Sequence, residues 1–384
     1  MAGTLESLGN DAKGRPVWRL RIYLGRDPVT KRQRRASMQF HGTRRDAERE
    51  LARFVTEREA AKPTTKATVA ELLSEWIRHC RQAERSISTV HGYESKIRVH
   101  IVPHLGDTPI DKLTPKMIDD FYGQMRTSGY AGSTIHQCHA ILRRAFVQAM
   151  RWEWIDRNPV TLVSPPRARV SSPLAPDVAA LAEILAEAHR RDEVVEAAIA
   201  LAAVTGLRRG ELVALHWSDV DDVAQTLWVR RALRTAGSAG SEIGPTKTRA
   251  ERVIALDPVG VEVIRRLKAV QVKWADEMVL ELPADPWLLP DHDLNKPMPP
   301  DRLTGAFSRI ARSIGRPDLH LHSLRHFTAT EMIAAGVDVR TVAGRLGHSD
   351  ASVTLRVYAH ALPERDRAAA EMLGARLRLP LENI

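Results

Sequence analysis

The chain has 384 residues, 43% of them hydrophobic, with a formal net charge of +10 and a pI near 9.9. That length predicts two or three domains with sizeable cores. The basic surplus favours a polyanionic partner, nucleic acid or an anionic membrane surface, and no apolar run approaches the roughly 18 residues of a membrane span.

The opening residues MAGTLESLGNDAKGR lack the apolar stretch of a secretory signal. Cys80 and Cys138 have no CxxC spacing, which predicts reduced thiols in the cytoplasm rather than a disulfide or a metal site. HIVPH (100–104) and HLH (320–322) are too isolated to argue for a metal. Residues 1–61 hold 14 Lys+Arg against 8 Asp+Glu, so +6 of the net +10 lies there. VWRLRIYL (17–24) alternates with period two: Trp18, Leu20, Ile22 and Leu24 share one face, Arg19, Arg21 and Tyr23 the other. GRDPVTK supplies a turn, and KRQRRASMQF (31–40) reads as a second strand with Ala36, Met38 and Phe40 inward. Ala47, Leu51, Phe54 and Val55 then recur at helical spacing. The prediction is a small sheet backed by one helix, whose outer face carries Arg19, Arg21, Tyr23 and Arg35. Such a face is either an ordinary solvated surface or a β-ribbon for a DNA major groove. The local charge surplus favours the ribbon.

Residues 62–67 (KPTTKA) form a polar, Pro-containing linker. Residues 68–160 read as all-helical. VAELLSEWIRHCRQA is amphipathic, and STVHGYESKIRVHIVPHLG is expected to end as a helix at Pro103 and Gly106. TPKMIDDFYGQMRTSG starts on a Thr-Pro cap and stops at Gly129, and STIHQCHAILRRAFVQAMRW is a fourth helix. Four helices with short loops make a bundle. Its Lys96, Arg98, Arg143 and Arg144 fit phosphate contacts and solvated helix faces equally well. The Pro-rich stretch 158–176, with the linker itself drawn at 161–176, is long enough to let two domains swing around a partner. From 177 to 384 helix patterns dominate, RRGELVALHW among them. The strand-like TLWVRRAL (226–233) and ERVIALD (251–257) flank a Gly-rich hairpin.

Four short motifs in this last region carry chemistry. In TGLRRGEL (205–212) a glycine-ended helix gives way to one that begins with two arginines, each a charged planar fork suited to phosphate oxygens. Consecutive helical residues point about 100° apart, so Arg208 and Arg209 cannot both face one site, and spacing does not choose between them. Glu211, three residues after Arg208, is close enough to brace it. PTKTRAERVIAL (245–256) puts a lysine on a hairpin, and a lysine can protonate an alkoxide leaving group. In HSLRHF (322–327), His322 and Arg325 are neighbours on one helix face, a cation beside a titratable imidazole. In GHSDASVTLRVYAH (347–360), Gly347 ends one helix, Ser349 or Asp350 caps the next, and Tyr358 follows about two turns later.

Taken in order, TGLRRGEL, a lysine hairpin, HSLRH and LGHSDASVTLRVY resemble the tyrosine recombinase family, and the upstream regions resemble those of phage-type, lambda-like integrases. The resemblance covers nearly the whole chain and is strongest in 177–362. It implies a multidomain, mainly α protein. Residues 1–61 would be an arm-type DNA-binding domain (a three-stranded sheet plus helix), 68–160 a helical, SAM-like core-binding domain, and 177–384 an α+β catalytic domain with a C-terminal tail. It further implies that Arg208 is the first catalytic arginine and Lys247 the hairpin lysine, with Arg249 the alternative on the same hairpin. His322 and Arg325 become the histidine and second arginine, His348 the second histidine, and Tyr358 the nucleophile. All six positions hold the residue type the family's motif requires.

A phenol of ordinary pKa near 10 is a poor nucleophile. Arginines and histidine around a phosphate would neutralise its nonbridging oxygens and lower the barrier to attack. By the resemblance Tyr358 forms a 3′-phosphotyrosyl bond, Lys247 protonates the departing 5′-oxygen, His322 assists proton transfer and His348 binds the phosphate. No cofactor and no metal are expected. The implied partners are double-stranded DNA attachment sites, a homotetramer formed on DNA, a host DNA-bending factor and a directionality factor. No membrane is expected, and the setting would be the nucleoid in a bacterial cytoplasm. The C-terminal ALPERDRAAAEMLGARLRLPLENI holds a helix and an apolar tail, to be docked either at home or on a neighbouring subunit. Two other functions share part of this pattern: a type IB topoisomerase-like nicking and sealing enzyme, and a DNA-binding protein with a vestigial site.

Overall fold

A computed structural model describes residues 3–11, 13–26, 33–60, 65–167, 174–235, 237, 240–246, 251–292, 294–347 and 370–373. The chain divides into two compact units, Met1–Arg169 and Val170–Ile384. In the first, β1 (Gly3–Asn10), β2 (Pro16–Arg26) and β3 (Gln33–His41) form an antiparallel sheet in the order β1-β2-β3, followed by α1 (Arg44–Ala60). The register sets Trp18 opposite Phe40, Leu20 opposite Met38 and Ile22 opposite Ala36. Leu20, Ile22 and Ala47 are fully buried where α1 covers this face, as the two periodicities require. β1 adds a strand that its own residues do not announce. GTLESLGN has no sustained alternation, and its strand character comes from pairing with the free edge of β2, Leu5 opposite Leu20.

Four helical stretches follow. α2 (Val69–Gln82) opens on a capping box, with Thr68 N–H donating to Glu71 and Glu71 N–H to Thr68 Oγ1. The helical run that starts with α3 (Ile87–Lys96) ends at Gly106 as expected, but does not break at Pro103. It passes through a π-turn, Ile97–Ile101, into α4 (Val102–Leu105) with Pro103 inside it. A proline lacks the N–H an α-turn needs and crowds the carbonyl four residues back. The wider π-turn, closed by Val102 N–H on the Ile97 carbonyl, takes up that misfit. α5 (Pro115–Thr127) starts on the Thr114 cap, and α6 (Gly132–Arg151) is the longest of the group. Leu72, Ile118, Phe121, Ile141 and Phe146 form the core, with Cys80 and Cys138 buried and unbridged within it. Val160 and Val163, from the start of the Pro-rich stretch, belong to the same core.

The second unit is built around α8 (Glu193–Thr205), buried on nearly every side and packed by α7 (Val178–Arg191). Its alanines allow close approach, as a helix apolar all round requires. The short α9 (Arg209–Leu212) follows, then β4 (Val220–Asp221), β5 (Thr226–Val229), β6 (Arg231–Thr235), β7 (Ser241–Pro245) and β8 (Arg252–Ala255). α10 (Pro258–Met278), α11 (Pro300–Ser313), α12 (Leu321–Ala334) and α13 (Val339–Leu346) complete it. α10, α11 and α12 also pack on α8.

Two expectations are corrected here. RRGELVALHW is not one helix: α9 closes at Leu212 and Leu212–Leu215 are all buried. Past α9 the chain turns away, and the Leu215 carbonyl accepts from Leu288 N–H at 2.7 Å. TLWVRRAL is two strands, not one. β5 pairs with β4 and β8 while β6 pairs with β7. The break falls at Arg230, where the buried Asp219 carboxylate draws Arg230 (3.6 Å) and Arg231 (2.9 Å) together.

Candidate active site

The site is organised by the turn between α8 and α9. Gly206 ends α8 in the left-handed region at φ 68°, and a Cβ there would meet Leu346 Cδ2 at 2.5 Å. Only glycine meets both conditions. Its carbonyl accepts from Arg325 Nη1 of α12 at 2.8 Å, and Arg325 is 3% exposed. Two residues on, Arg208 stands at the mouth of α9. Its Nη1 donates to Glu211 Oε1 (2.9 Å), its backbone N–H to Glu211 Oε2 (3.1 Å), and its Nη2 to the Gly347 carbonyl (2.9 Å). Arg209 points elsewhere, to Asp301 and Thr304 of α11 at 2.9 Å each. The two arginines between which spacing did not choose, and of which the resemblance picks Arg208, therefore face different surroundings.

Gly347 caps α13 at φ 67°. α13 is lashed down by Arg345, whose guanidinium donates to the Ala255 and Val204 carbonyls at 3.0 and 2.8 Å. On α12, Thr328 Oγ1 donates to the Ala203 carbonyl at 2.7 Å. His322 lies in the first turn of α12. Burial, then the charges of Arg325 and Arg208, hold its imidazole below the ordinary histidine range. The N-terminal end of the helix acts in the same direction. His326 stacks edge-on against it at 4.9 Å and is pushed down to about 4, chiefly by burial and then by His322. A cavity of about 290 Å³ adjoins this corner, lined by Leu207, Arg209, Thr304, His320 and His322 among others.

Glu211 is 1% exposed. Burial pushes its carboxyl up. The hydrogen bonds and charge of Arg252, with the charge of Arg208, outweigh burial and hold it below the usual range. Of the remaining candidates, Lys247, His348 and Tyr358 lie outside the described residues, as does the C-terminal tail apart from 370–373. Thr246 and Gly347, the neighbours of Lys247 and His348, are described.

The surface candidates are placed as follows. Arg19 and Arg21 project from β2 and share Glu6 of β1, at 3.5 and 3.1 Å. Tyr23 stands opposite Arg35, which hydrogen-bonds Gln33. Thr4, Arg21, Tyr23, Gln33 and Arg35 bound a groove of about 540 Å³. In the helical part, Arg98 and Arg143 are exposed and Lys96 half-buried, while Arg144 donates to the Tyr93 hydroxyl at 2.7 Å.

Sequence reasoning missed Arg252, Arg345 and Thr328. Arg252 did carry a signal: it is in phase with Ile254 along β8, opposite Val229, so it points to the buried face. Arg345 sits in the last turn before a C-cap glycine, where a cation meets helix carbonyls.

Residues 177–365 match the phage integrase family, and 68–125 match the phage integrase N-terminal SAM-like domain. The chain is 25% identical to a XerC-like tyrosine recombinase of Caldanaerobacter subterraneus subsp. tengcongensis, over 94% of this chain and 96% of that one. Its fold is similar to that of the Tn1549 transposon integrase in complex with a circular-intermediate DNA, with a TM-score of 0.68 at 24% identity over 80% of this chain and 99% of that one. It is also similar to a lambda integrase tetramer bound to a Holliday junction, with a TM-score of 0.60 at 20% identity over 90% and 93% of the two chains. Among the described residues no helix is long and apolar enough to cross a membrane.

Proposed function

The chain belongs to the phage integrase family of tyrosine recombinases, and from that premise we propose how its own residues divide the work of cutting and rejoining DNA. The catalytic set is Arg208, Lys247, His322, Arg325, His348 and Tyr358. Arg208 and Arg325 neutralise the nonbridging oxygens of the scissile phosphate. The N-terminal end of α12 adds its dipole to theirs. His322, neutral at physiological pH, accepts the phenolic proton as Tyr358 attacks phosphorus. The P–O bond to the 5′-oxygen breaks and Lys247 supplies that oxygen's proton. The 3′-phosphotyrosyl bond keeps the phosphodiester's energy, so a 5′-hydroxyl of the second duplex reverses the step, with neither ATP nor a metal ion.

Residues 1–61 read arm-type DNA, 68–160 hold core-site phosphates, and 177–384 carry the chemistry. The enzyme integrates or excises a phage or mobile element. It works as a DNA-bound homotetramer in the cytoplasm, at the nucleoid, together with a DNA-bending host protein and a directionality factor. The observation that carries this reading is the joining of Arg208 and Arg325 at one turn: Arg325 holds the carbonyl of Gly206, and Arg208 holds the carbonyl that precedes His348.

Suicide-nicked attachment DNA tests it, because the released fragment cannot return and the covalent protein–DNA adduct accumulates. The native chain should form the adduct and Tyr358→Phe should form none. Undiminished adduct from Tyr358→Phe would remove the nucleophile assignment.

A further inference from the structure

We propose that Arg252 is a positioning residue for strand transfer, one that takes up the charge of Glu211 so that Arg208 can present its own to the phosphate. The proposal rests on the reading of Arg208 as a phosphate ligand. Arg252 straddles the Glu211 carboxylate, Nη2 on Oε2 at 2.6 Å and Nη1 on Oε1 at 3.3 Å. Arg208 shares the same carboxylate from the other side, through Nη1 and its backbone N–H. One buried negative charge is thus divided between two guanidiniums that differ in exposure. The side chain of Arg252 is 10% exposed and that of Arg208 23%. The inner cation is bidentate, the stronger arrangement, which leaves the outer one partly uncompensated where an anion could approach.

The same pair also grips the end of α13. Arg252 Nε donates to the Arg345 carbonyl at 2.9 Å, two residues before the Gly347 carbonyl that Arg208 holds. A Cβ on Gly347 would lie 2.7 Å from Arg252 Nη1, so this capping glycine rests directly on the guanidinium. Arg252 therefore sets two things at once: the share of Glu211 charge that falls on Arg208, and the position of the helix end from which the chain continues to His348. The strand that carries it, β8, begins five residues after Lys247 in the sequence.

Losing the Arg252 cation should be worse than losing both members of the pair. In Arg252→Met the whole Glu211 charge falls on Arg208 and cancels what the phosphate would meet. In Glu211→Gln/Arg252→Met no such charge remains. The test is single-turnover adduct formation by the full-length protein on suicide-nicked attachment DNA. Thermal melting and core-site binding are measured alongside, and Arg252→Lys serves as the conservative variant. Arg252→Met should slow adduct formation about tenfold or more and the double variant should recover most of that loss, a coupling of the size seen within one ion-pair network. The deficit of Arg252→Met should also shrink as the pH falls and Glu211 takes a proton, and Arg252→Lys should sit between native and Met. A double variant no faster than Arg252→Met, with the native protein active, would overturn the proposal alone. An inactive native chain would overturn the functional reading and this proposal with it.

Discussion

The arginines of the N-terminal sheet and those of the second unit are the same side chain put to opposite uses. On the sheet, Arg19 and Arg21 are a third or more exposed and lean on Glu6, itself 47% exposed. Pairs of that kind are worth about 0–1 kcal/mol and weaken with salt, so these cations can exchange a carboxylate for a phosphate at little cost. Arg325 and Arg252 are sunk into protein and spend their donors on backbone carbonyls and one buried carboxylate. Their geometry is fixed before any ligand arrives, which is what electrostatic preorganisation requires. Under the proposed division of labour, the first region adapts to a polyanion and the second holds one phosphate in one pose.

The contrast breaks most readily at Arg325. Arg325→Met should lower adduct formation by about 10²–10³-fold, the usual cost of losing one preorganised donor to a developing oxyanion. Stability should fall as well, by about 1–3 kcal/mol, because the Gly206 carbonyl loses its buried donor. A urea midpoint equal to that of the native protein would mean that the Gly206 contact is not part of the folded state. Gly206→Ala comes next. The left-handed turn and the 2.5 Å approach of Leu346 should cost about 1–3 kcal/mol, read as a lowered melting temperature, with binding of arm-site DNA by the full-length variant unchanged.

How far the site was legible follows from the same contrast. The sheet face was readable because β2 alternates strictly, and a period of two settles which residues point out. The choice between Arg208 and Arg209 was not readable from spacing, since they are adjacent at one helix start, and only the resemblance made it. In the fold it rests on where α11 and α13 lie, and Asp301 and Gly347 are 92 and 139 residues away from the arginines they accept from. Gly106 ends its helical run as read, and only Pro103 misled, for a different reason. A proline stops an α-helix by local rule, and a π-turn is a local exception that nothing in STVHGYESKIRVHIVPHLG announces. Arg252 was legible in principle from its phase with Ile254. An arginine in a four-residue strand reads as surface until Glu211, 41 residues earlier, is known to face it.

A smaller effect should come from the sheet. If Arg21 contacts a phosphate, Arg21→Ala should weaken arm-DNA binding and reduce the slope of log affinity against log salt by about 1. Folding stability should stay within about 0.5 kcal/mol. Glu6→Gln should shift binding the other way, by removing the carboxylate that Arg19 and Arg21 must leave. Equal salt slopes for Arg21→Ala and the native protein would place the DNA elsewhere on this unit.

The smallest and most discriminating shift concerns His322. Burial and the charges of Arg325 and Arg208 lower its pKa, so the folded state binds its proton less readily than the unfolded chain, whose value lies near 6.5. The linkage sign follows: the stability tied to neutral His322 is fully present above about 6.5 and declines as pH falls from there toward the lowered folded value. An NMR titration of the DNA-free protein should therefore put the imidazole midpoint below 6.5, and that of His326 at about 4. In the proposed mechanism, attachment DNA brings a phosphate between the same two guanidiniums. That negative charge should offset part of their repulsion of the imidazolium and raise the His322 midpoint. An unmoved His322 midpoint on saturation with DNA would mean that the phosphate does not enter the space that Arg208 and Arg325 face.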